Sequence, residues 1–176
     1  MTPVTTRPSI EETWVVLADG RCVRLRELGP DDAPALVAAY DAADPDDLRR
    51  RFMGCPPPAS YLVRQLKAAD GLNHLAIGAF SQVGELVGVA QFDRSDGEPD
   101  AEIAIAVASS WQTVGLGTDL ITRLAQIART RGVHHFKATF FADNLPLRRL
   151  LRDANSLVTT TYAAGEGFAD FDLDAT

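Results

Sequence analysis

The feature that most constrains this chain is a turn with two closely spaced glycines, set between an apolar strand and an amphipathic helix. Residues 101–108 alternate and are mostly small or β-branched, a pattern typical of a strand. From Leu116 to Ala128, apolar residues recur at helical spacing, and Gly132 follows as a C-terminal glycine should. Together with neighbouring groups of strands elsewhere in the chain, this order predicts an α/β (α+β) fold with a mixed sheet.

The glycine turn, residues 112–118, suits the binding of a phosphate group. Gly115 and Gly117 let the backbone curve tightly. The first N–H groups of the following helix have no internal partner, and the helix dipole places its positive end there. Such a turn can hold a phosphate or pyrophosphate without a basic side chain. On glycine spacing alone, a plain strand-to-helix connection is an equally good interpretation.

Two better-known phosphate-binding motifs do not fit this turn. A Walker loop requires Lys and then Ser or Thr after its last glycine, but Gly117 is followed by Thr118 and Asp119. A dinucleotide-binding fingerprint requires a third glycine three residues further on, where Leu120 stands. The sequence therefore favours neither a P-loop NTPase nor a Rossmann dehydrogenase.

Composition and charge exclude several other classes of protein. Hydrophobic residues make up 46% of the 176-residue chain and charged residues 23%, which is ordinary for a globular protein. No apolar run approaches the roughly 20 residues of a membrane helix. The net charge of −7 argues against nucleic acid, and we interpret the basic run of residues 49–51 as the solvated end of a short helix. Two cysteines make no disulfide framework, so we expect a cytoplasmic protein without a metal site.

The order of elements follows from turn signals and periodicity. We predict a flexible tail at residues 1–12 and one domain at 13–176. The predicted elements are a hairpin at 14–17 and 22–28, helices near 30–43, 46–52, 60–69, 116–130 and 145–154, strands near 74–80, 86–92, 101–108 and 135–141, and a closing hairpin within 158–173.

The turn also resembles a known signature. Gln112-x-x-Gly115-x-Gly117 is similar to the Gln/Arg-x-x-Gly-x-Gly/Ala motif of the GNAT superfamily of N-acetyltransferases, and residues 23–33 resemble that family's first strand and helix. The likeness covers roughly residues 15–173. It implies a mostly antiparallel sheet of six to seven strands, flanked by helices and splayed between the strands at 101–108 and 135–141. It also implies acetyl-CoA as acyl donor and an amine as acceptor.

The resemblance assigns residues to the donor. In the family, the backbone amides of the turn bind the CoA pyrophosphate, the splayed strand pairs with the pantetheine arm, and an asparagine at the next helix holds that arm. The matching residues here are the signature residue Gln112, the amides of Val114, Gly115, Leu116, Gly117 and Thr118, the strand residues Ile105, Ala106 and Val107, and Asn144. Asn144 suits a helix N-cap equally well, and the two roles are compatible.

Glu102 is the candidate catalytic residue. An amine must lose its proton before it attacks a thioester, which requires a base acting directly or through one water. Strand parity places Ala104 and Ala106 on the same face as Glu102, and these small side chains leave room for a substrate. Bacterial protein-lysine acetyltransferases of the Pat type carry a glutamate at this place, and residues 101–104 and 143–148 resemble that branch. The alternative is that Glu102 is only the solvated start of a strand.

One departure from the family keeps a second class of function open. Many GNAT enzymes place a tyrosine, the general acid, where this chain has Leu151. The leading hypothesis remains transfer of an acetyl group to a protein lysine, with a small-molecule amine as second choice of acceptor. A non-catalytic acyl-CoA sensor is the alternative from another class. The sequence leaves open the length of the acyl group and whether the protein is a monomer or a homodimer.

Overall fold

The computed structural model describes residues 11–154 and 158–175. The predicted tail, residues 1–12, therefore lies outside the described residues except for Glu11 and Glu12, which precede the first strand. The end of the fifth predicted helix is described as far as Ala154.

Eight described strands form one sheet, one strand more than the six to seven predicted. They are β1 (Thr13–Val16), β2 (Cys22–Glu27), β3 (His74–Ser81), β4 (Leu86–Asp93), β5 (Asp100–Val107), β6 (His135–Phe141), β7 (Val158–Ala163) and β8 (Glu166–Asp172). Their order across the sheet is β1-β2-β3-β4-β5-β6-β8-β7. Each neighbouring pair of these strands is antiparallel except β5 and β6, which are parallel, so the predicted mostly antiparallel mixed sheet is confirmed.

Five described helices cover the two faces of the sheet. They are α1 (Ala33–Asp41), α2 (Pro45–Arg51), α3 (Ala59–Ala68), α4 (Leu116–Thr130) and α5 (Leu145–Ala154). A Cβ on Gly88 would touch Leu120 of α4, whereas Val89 packs against the cluster that holds Leu36 of α1 and Leu66 of α3. Because successive strand residues point to opposite faces, α4 covers one face and α1 and α3 the other.

The predicted splay of the sheet is confirmed. The β5–β6 ladder contains three partner pairs and ends at Glu102 and Lys137, although β5 continues to Val107 and β6 to Phe141. Beyond Glu102, the backbone of β5 on this side has no partner strand among the described residues. The sheet therefore opens next to the glycine turn that follows β5. Within the described ranges, no helix is long and apolar enough to cross a membrane.

Candidate active site

A cleft of about 1400 Å³ runs along β5 from Glu102 to the glycine turn. Helices α1 and α2 line one side of it, and α4 and α5 line the other. Nine of the predicted site residues line the cleft, namely Glu102, Ile105, Ala106, Val107, Gln112, Gly115, Gly117, Thr118 and Asn144. Two others, Val114 and Leu116, do not line it, and the Leu116 side chain is fully buried in the core, so either could contribute only its backbone.

The turn has the backbone geometry of an anion site. Thr113 and Gly115 both have positive φ, 63° and 93°, and a Cβ on Gly115 would meet open space. After Gln112, the next residue whose N–H is bonded is Asp119, which donates to the Gly115 carbonyl at 3.1 Å. In the part of the chain that the structure describes, no acceptor is bonded to the N–H groups of residues 115–118. Four free donors at a helix N-terminus favour a negatively charged group in the cleft.

Gln112 links the turn to helix α2. Its side-chain nitrogen donates to the Val107 carbonyl at 3.0 Å and to Asp47 Oδ2 at 3.1 Å. Asp47 also accepts from Ser109 Oγ at 2.7 Å and from Arg50 at 3.0 Å. Asp47 therefore fastens α2 to the end of β5. Sequence reasoning missed it because it lies 65 residues before Gln112 and carries no local motif.

Asn144 caps helix α5 and also lines the cleft. Its Oδ1 accepts a hydrogen bond from the Leu147 N–H at 3.2 Å, which is the N-cap geometry that the sequence allowed. The side chain is buried, and it lies on the cleft wall opposite the turn-bearing end of β5. The capping bond fixes the amide group in that position.

The alternation of side chains between the two faces of β5, predicted from the sequence, agrees with the pairing of β5 with β4. Ile103 lies opposite Phe92 and is buried on the α4 face, while Glu102 lies opposite Asp93 on the face that carries α1 and α3. Glu102 is exposed, so the small side chains beside it do not shield it from solvent in the free protein. The carboxylate stands at the open end of the cleft.

Charged residues from other strands surround Glu102. Asp93 accepts a hydrogen bond from Gln91 Nε2 at 2.8 Å, and its other oxygen lies 2.9 Å from His74 Nδ1. Lys137, the partner of Glu102 on β6, forms an ion pair with Asp100, which raises the pKa of Lys137 and lowers that of Asp100. Neither Asp93 nor Lys137 belongs to a motif, so only the strand register brings them to the site.

The interpretation of residues 49–51 as a solvated helix end was wrong for Arg51. Arg51 lines the cleft, and burial lowers the pKa of its guanidinium against the opposing charges of Asp93 and Glu102. Arg49 stacks over the ring of Phe141 at 4.9 Å, as a surface residue of this helix can. The short helix turns Arg51 inward because α2 packs against β5.

Other residues considered in the sequence lie away from the cleft. Leu151 is buried in the core, so this position presents no proton donor. His134 and His135 bond to different carboxylates, Asp174 at 2.7 Å and Asp170 at 3.1 Å. Among the described residues, no group of three or more possible metal ligands is present.

A family model described as the acetyltransferase (GNAT) family matches residues 34–154. The acetyltransferase Pat of Mycolicibacterium smegmatis is 26% identical over 139 residues, which cover 78% of this chain and 42% of that protein. An acetyltransferase of Pseudomonas aeruginosa is 30% identical over 142 residues, which cover 78% of this chain and 76% of that one. The chain thus spans less than half the length of the first relative and about three quarters of the second.

Solved structures have the same fold. The GNAT domain of Streptomyces lividans PAT superposes with a TM-score of 0.84 at 26% identity, covering 92% of this chain and 96% of that domain. A Salmonella typhimurium protein solved with its cofactor acetyl-CoA has a TM-score of 0.70 at 22% identity, covering 88% and 95% of the two chains. At 22% identity, the similarity to the Salmonella typhimurium structure supports the fold alone.

Proposed function

The chain belongs to the acetyltransferase (GNAT) family, and on this premise we propose that it moves an acetyl group from acetyl-CoA to a primary amine, with a protein lysine as the first acceptor to test. One observation carries the proposal. The cleft is bordered by a turn whose residues 115–118 have four free N–H groups, three of them on residues that line the cleft, and further back along β5 it is lined by Glu102. The first group suits the phosphates of the donor, and the second suits the proton of the acceptor.

The donor would lie along the glycine turn and the open edge of β5. The N–H groups of residues 114–118 would hold the pyrophosphate, and the unpaired backbone of Ile105, Ala106 and Val107 would pair with the pantetheine arm. Asn144 would contact the same arm from the start of α5, and Gln112 would fix the turn through its bonds to Val107 and Asp47. These residues fit the donor because the turn offers hydrogen-bond donors and open space rather than side chains.

Glu102 would act as the base. It takes one proton from the acceptor ammonium, directly or through one water. The amine nitrogen then bonds to the thioester carbon, loses a second proton to solvent and becomes the amide as the carbon–sulfur bond breaks. Since the thiolate takes up one proton, each transfer from an ammonium releases one net proton. Because Leu151 is buried and apolar, we propose that water, rather than a side chain at this position, protonates the departing thiolate.

The acidic surroundings of Glu102 support a cationic acceptor. Asp93 and Asp100 lie on the same part of the sheet, and the chain as a whole carries a net charge of −7. A lysine side chain fits this field, as does a small-molecule amine, which is the second choice. We also propose that residues 13–176 act as one domain and that the protein works in the cytoplasm.

A non-catalytic acyl-CoA sensor is the competing function, and the buried Leu151 is the observation that favours it. Calorimetric titration with acetyl-CoA, beside CoA and ATP, is the first test. Binding of acetyl-CoA without binding of ATP supports the donor site, and absence of binding to either CoA species rejects it. Release of CoA thiol in the presence of lysine peptides then separates the enzyme from the sensor.

A further inference from the structure

The tip of the β1–β2 hairpin lies against the segment that leads into the glycine turn. The hairpin turn is closed by a hydrogen bond from the Gly20 N–H to the Leu17 carbonyl at 2.9 Å. The second residue of this turn, Ala18, donates its N–H to the Val114 carbonyl at 3.1 Å. The hairpin therefore contacts the backbone directly before the first glycine of the turn.

Arg21 makes a second connection between the hairpin and the same segment. Its Nη2 donates to the Ser110 carbonyl at 2.9 Å, although the two residues lie 89 positions apart in the chain. Its guanidinium lies 3.9 Å from the centre of the Trp111 ring, which is the geometry of a cation–π contact. Asp19 accepts from Nε of the same guanidinium at 2.6 Å and so helps to fix it. The hairpin thus holds both ends of residues 110–114.

The bond from Ala18 determines where the Gly115 N–H points. In a planar trans peptide, the carbonyl of one residue and the N–H of the next point in opposite directions. Since the Val114 carbonyl faces the hairpin, the Gly115 N–H points away from it. Gly115 lines the cleft, and its φ of 93° lies outside the helical geometry of α4. The helix itself directs the N–H groups of residues 116–118, whereas the bond from Ala18 directs that of Gly115.

A residue in a left-handed conformation lies between two anchored neighbours. Thr113 has a φ of 63°, which a β-branched residue adopts only where its surroundings enforce it. On one side of it, the Gln112 side chain is bonded to Asp47 at 3.1 Å. On the other side, Val114 is bonded to Ala18 of the hairpin. The shape of the turn therefore depends on contacts from two other parts of the fold.

We propose that Arg21 is a positioning residue of the donor site, which acts together with the Ala18 N–H to direct the Gly115 N–H at the pyrophosphate of acetyl-CoA. This inference rests on the proposed function. Neither Arg21 nor Ala18 lines the cleft, so each acts through the backbone carbonyl to which it is bonded. A turn that already has its bound shape loses less freedom when the donor binds. Loss of the hairpin contacts should therefore weaken donor binding and leave transfer from the bound donor unchanged.

Arg21→Gln tests the side chain, and Arg24→Gln is its matched control. Arg24, in the adjoining strand, has similar contacts elsewhere, namely an ion pair with Glu12 at 3.3 Å and a position over the Phe80 ring. We expect the Kd for acetyl-CoA, measured by calorimetry, to rise about three- to tenfold in R21Q and to stay at the wild-type value in R24Q. R21K, which keeps a donor but not the planar group, should lie between them. The kcat at saturating acetyl-CoA should be the same in all four proteins.

Ala18→Pro tests the backbone bond alone. Ala18 is the second residue of a turn closed by Gly20, a position that favours proline, so A18P removes the N–H and keeps the turn. Gln82→Pro is the matched control, because Gln82 has the same position in the β3–β4 turn, which the Gly84 N–H closes at 3.0 Å. In the described part of the chain, the Gln82 N–H has no acceptor. A18P should raise the Kd about three- to tenfold, and Q82P should not.

S-Acetylpantetheine separates this role from a general loss of structure, because it carries the thioester and the pantetheine arm but no phosphate. With this donor, kcat/KM of R21Q and A18P should equal that of the wild type, whereas with acetyl-CoA it should fall about three- to tenfold. An equal fall with both donors would assign the hairpin a merely structural role and overturn the inference. Unchanged affinity for acetyl-CoA in R21Q and A18P would overturn it as well.

Circular dichroism and thermal unfolding check that each variant is folded. If R21Q does not fold, A18P and R21K decide by the same criteria. A wild type that binds no acetyl-CoA rejects the proposed donor site itself. A wild type that binds acetyl-CoA, beside variants that bind it equally well, rejects only the role of the hairpin.

Discussion

The two ends of the cleft are built in different ways. The glycine-turn end, residues 105–118 with Asn144, presents backbone donors, several small side chains and the side-chain amides of Gln112 and Asn144, but no charged side chain. The charged end comprises Arg51 and Glu102, which line the cleft, and Asp93, which pairs with Glu102 in the β4–β5 ladder. The first end depends on local backbone geometry at one turn. The second depends on a helix and two strands being held in register.

This difference indicates how each end should respond to substitution. A site made of backbone N–H groups is changed by altering the charge or the space around it, because substitutions other than proline leave those N–H groups in place. A site made of charged side chains is changed by single substitutions, since each group is a separate carrier of charge. The two ends should therefore be separable experimentally, one in donor binding and the other in turnover.

The largest expected effect is at the charged end. Replacing Glu102 with Gln should lower kcat by about 10²–10⁴-fold, because the proposed base is lost. Acetyl-CoA binding, measured by calorimetry, should stay at the wild-type level. Glu98→Gln, in the exposed loop before β5, is the matched control and should keep its activity. Unchanged turnover in E102Q would remove Glu102 from the mechanism.

At the glycine-turn end, the substitution Thr118→Asp should impair the binding of acetyl-CoA, which E102Q should leave unchanged. Thr118 is exposed in the first turn of α4, where a carboxylate stabilises a helix but repels a bound pyrophosphate. We expect the Kd for acetyl-CoA to rise by about 10- to 100-fold, or about 1.4–2.7 kcal/mol, without a lower Tm. Thr122→Asp, one turn further along the helix, should bind as the wild type does. Equal binding by T118D would show that the phosphates lie elsewhere.

Asp47, on α2, connects the two ends of the cleft through its hydrogen bonds, and substituting it removes this connection. Asp47→Ala removes the bonds to Ser109 and Gln112 and leaves Arg50 without its partner. We expect kcat/KM to fall by about tenfold and the free energy of unfolding by about 1–2 kcal/mol. Donor binding should weaken less than turnover, because the bond from Gln112 to the Val107 carbonyl still holds the turn. Steady-state kinetics and urea unfolding measure the two effects. Asp46→Ala, on the exposed side of α2, should change neither, and a loss of donor binding as large as that of turnover would contradict the separation of the ends.

The smallest expected effect concerns Asp32, which directly precedes α1, the helix that lines the cleft from Ala35 onward. Asp32 accepts two hydrogen bonds from Arg26, at 2.8 and 2.6 Å, and these, with the Gly29 N–H, lower the pKa of Asp32 despite its partial burial. A lowered pKa in the folded state means that this stability is present above the unfolded pKa of about 3.9 and is lost as the pH falls through the folded value.

Asp32→Asn should therefore destabilise the protein by about 1 kcal/mol at pH 7, since partial exposure screens the pair. The difference from the wild type should shrink as the pH falls below about 4. Urea unfolding at both pH values checks this, with Asp31→Asn as an exposed control. A difference that stays constant with pH would mean that the ion pair is not its cause.

Most of the fold could be predicted because its signals are local. Alternation indicated β5, helical spacing indicated α4, and Gly165 marked the closing hairpin of β7 and β8. The six to seven strands followed from the family resemblance, whereas the two hairpins and four strands predicted from turn signals and periodicity already make the eight described strands. The solvated position expected for residue 51 was wrong because a short charged helix gives no local sign of which side packs against a strand.

The sequence by itself determined the family and the glycine-turn end, because a turn with two glycines before an amphipathic helix fixes where free backbone N–H groups point. It also determined the face on which Glu102 lies, since strand parity is a local property. Only the tertiary structure brought Asp47 to Gln112, and Asp93 and Arg51 to Glu102. These residues lie far apart in the chain, and their approach depends on strand register and helix packing, which no short motif encodes.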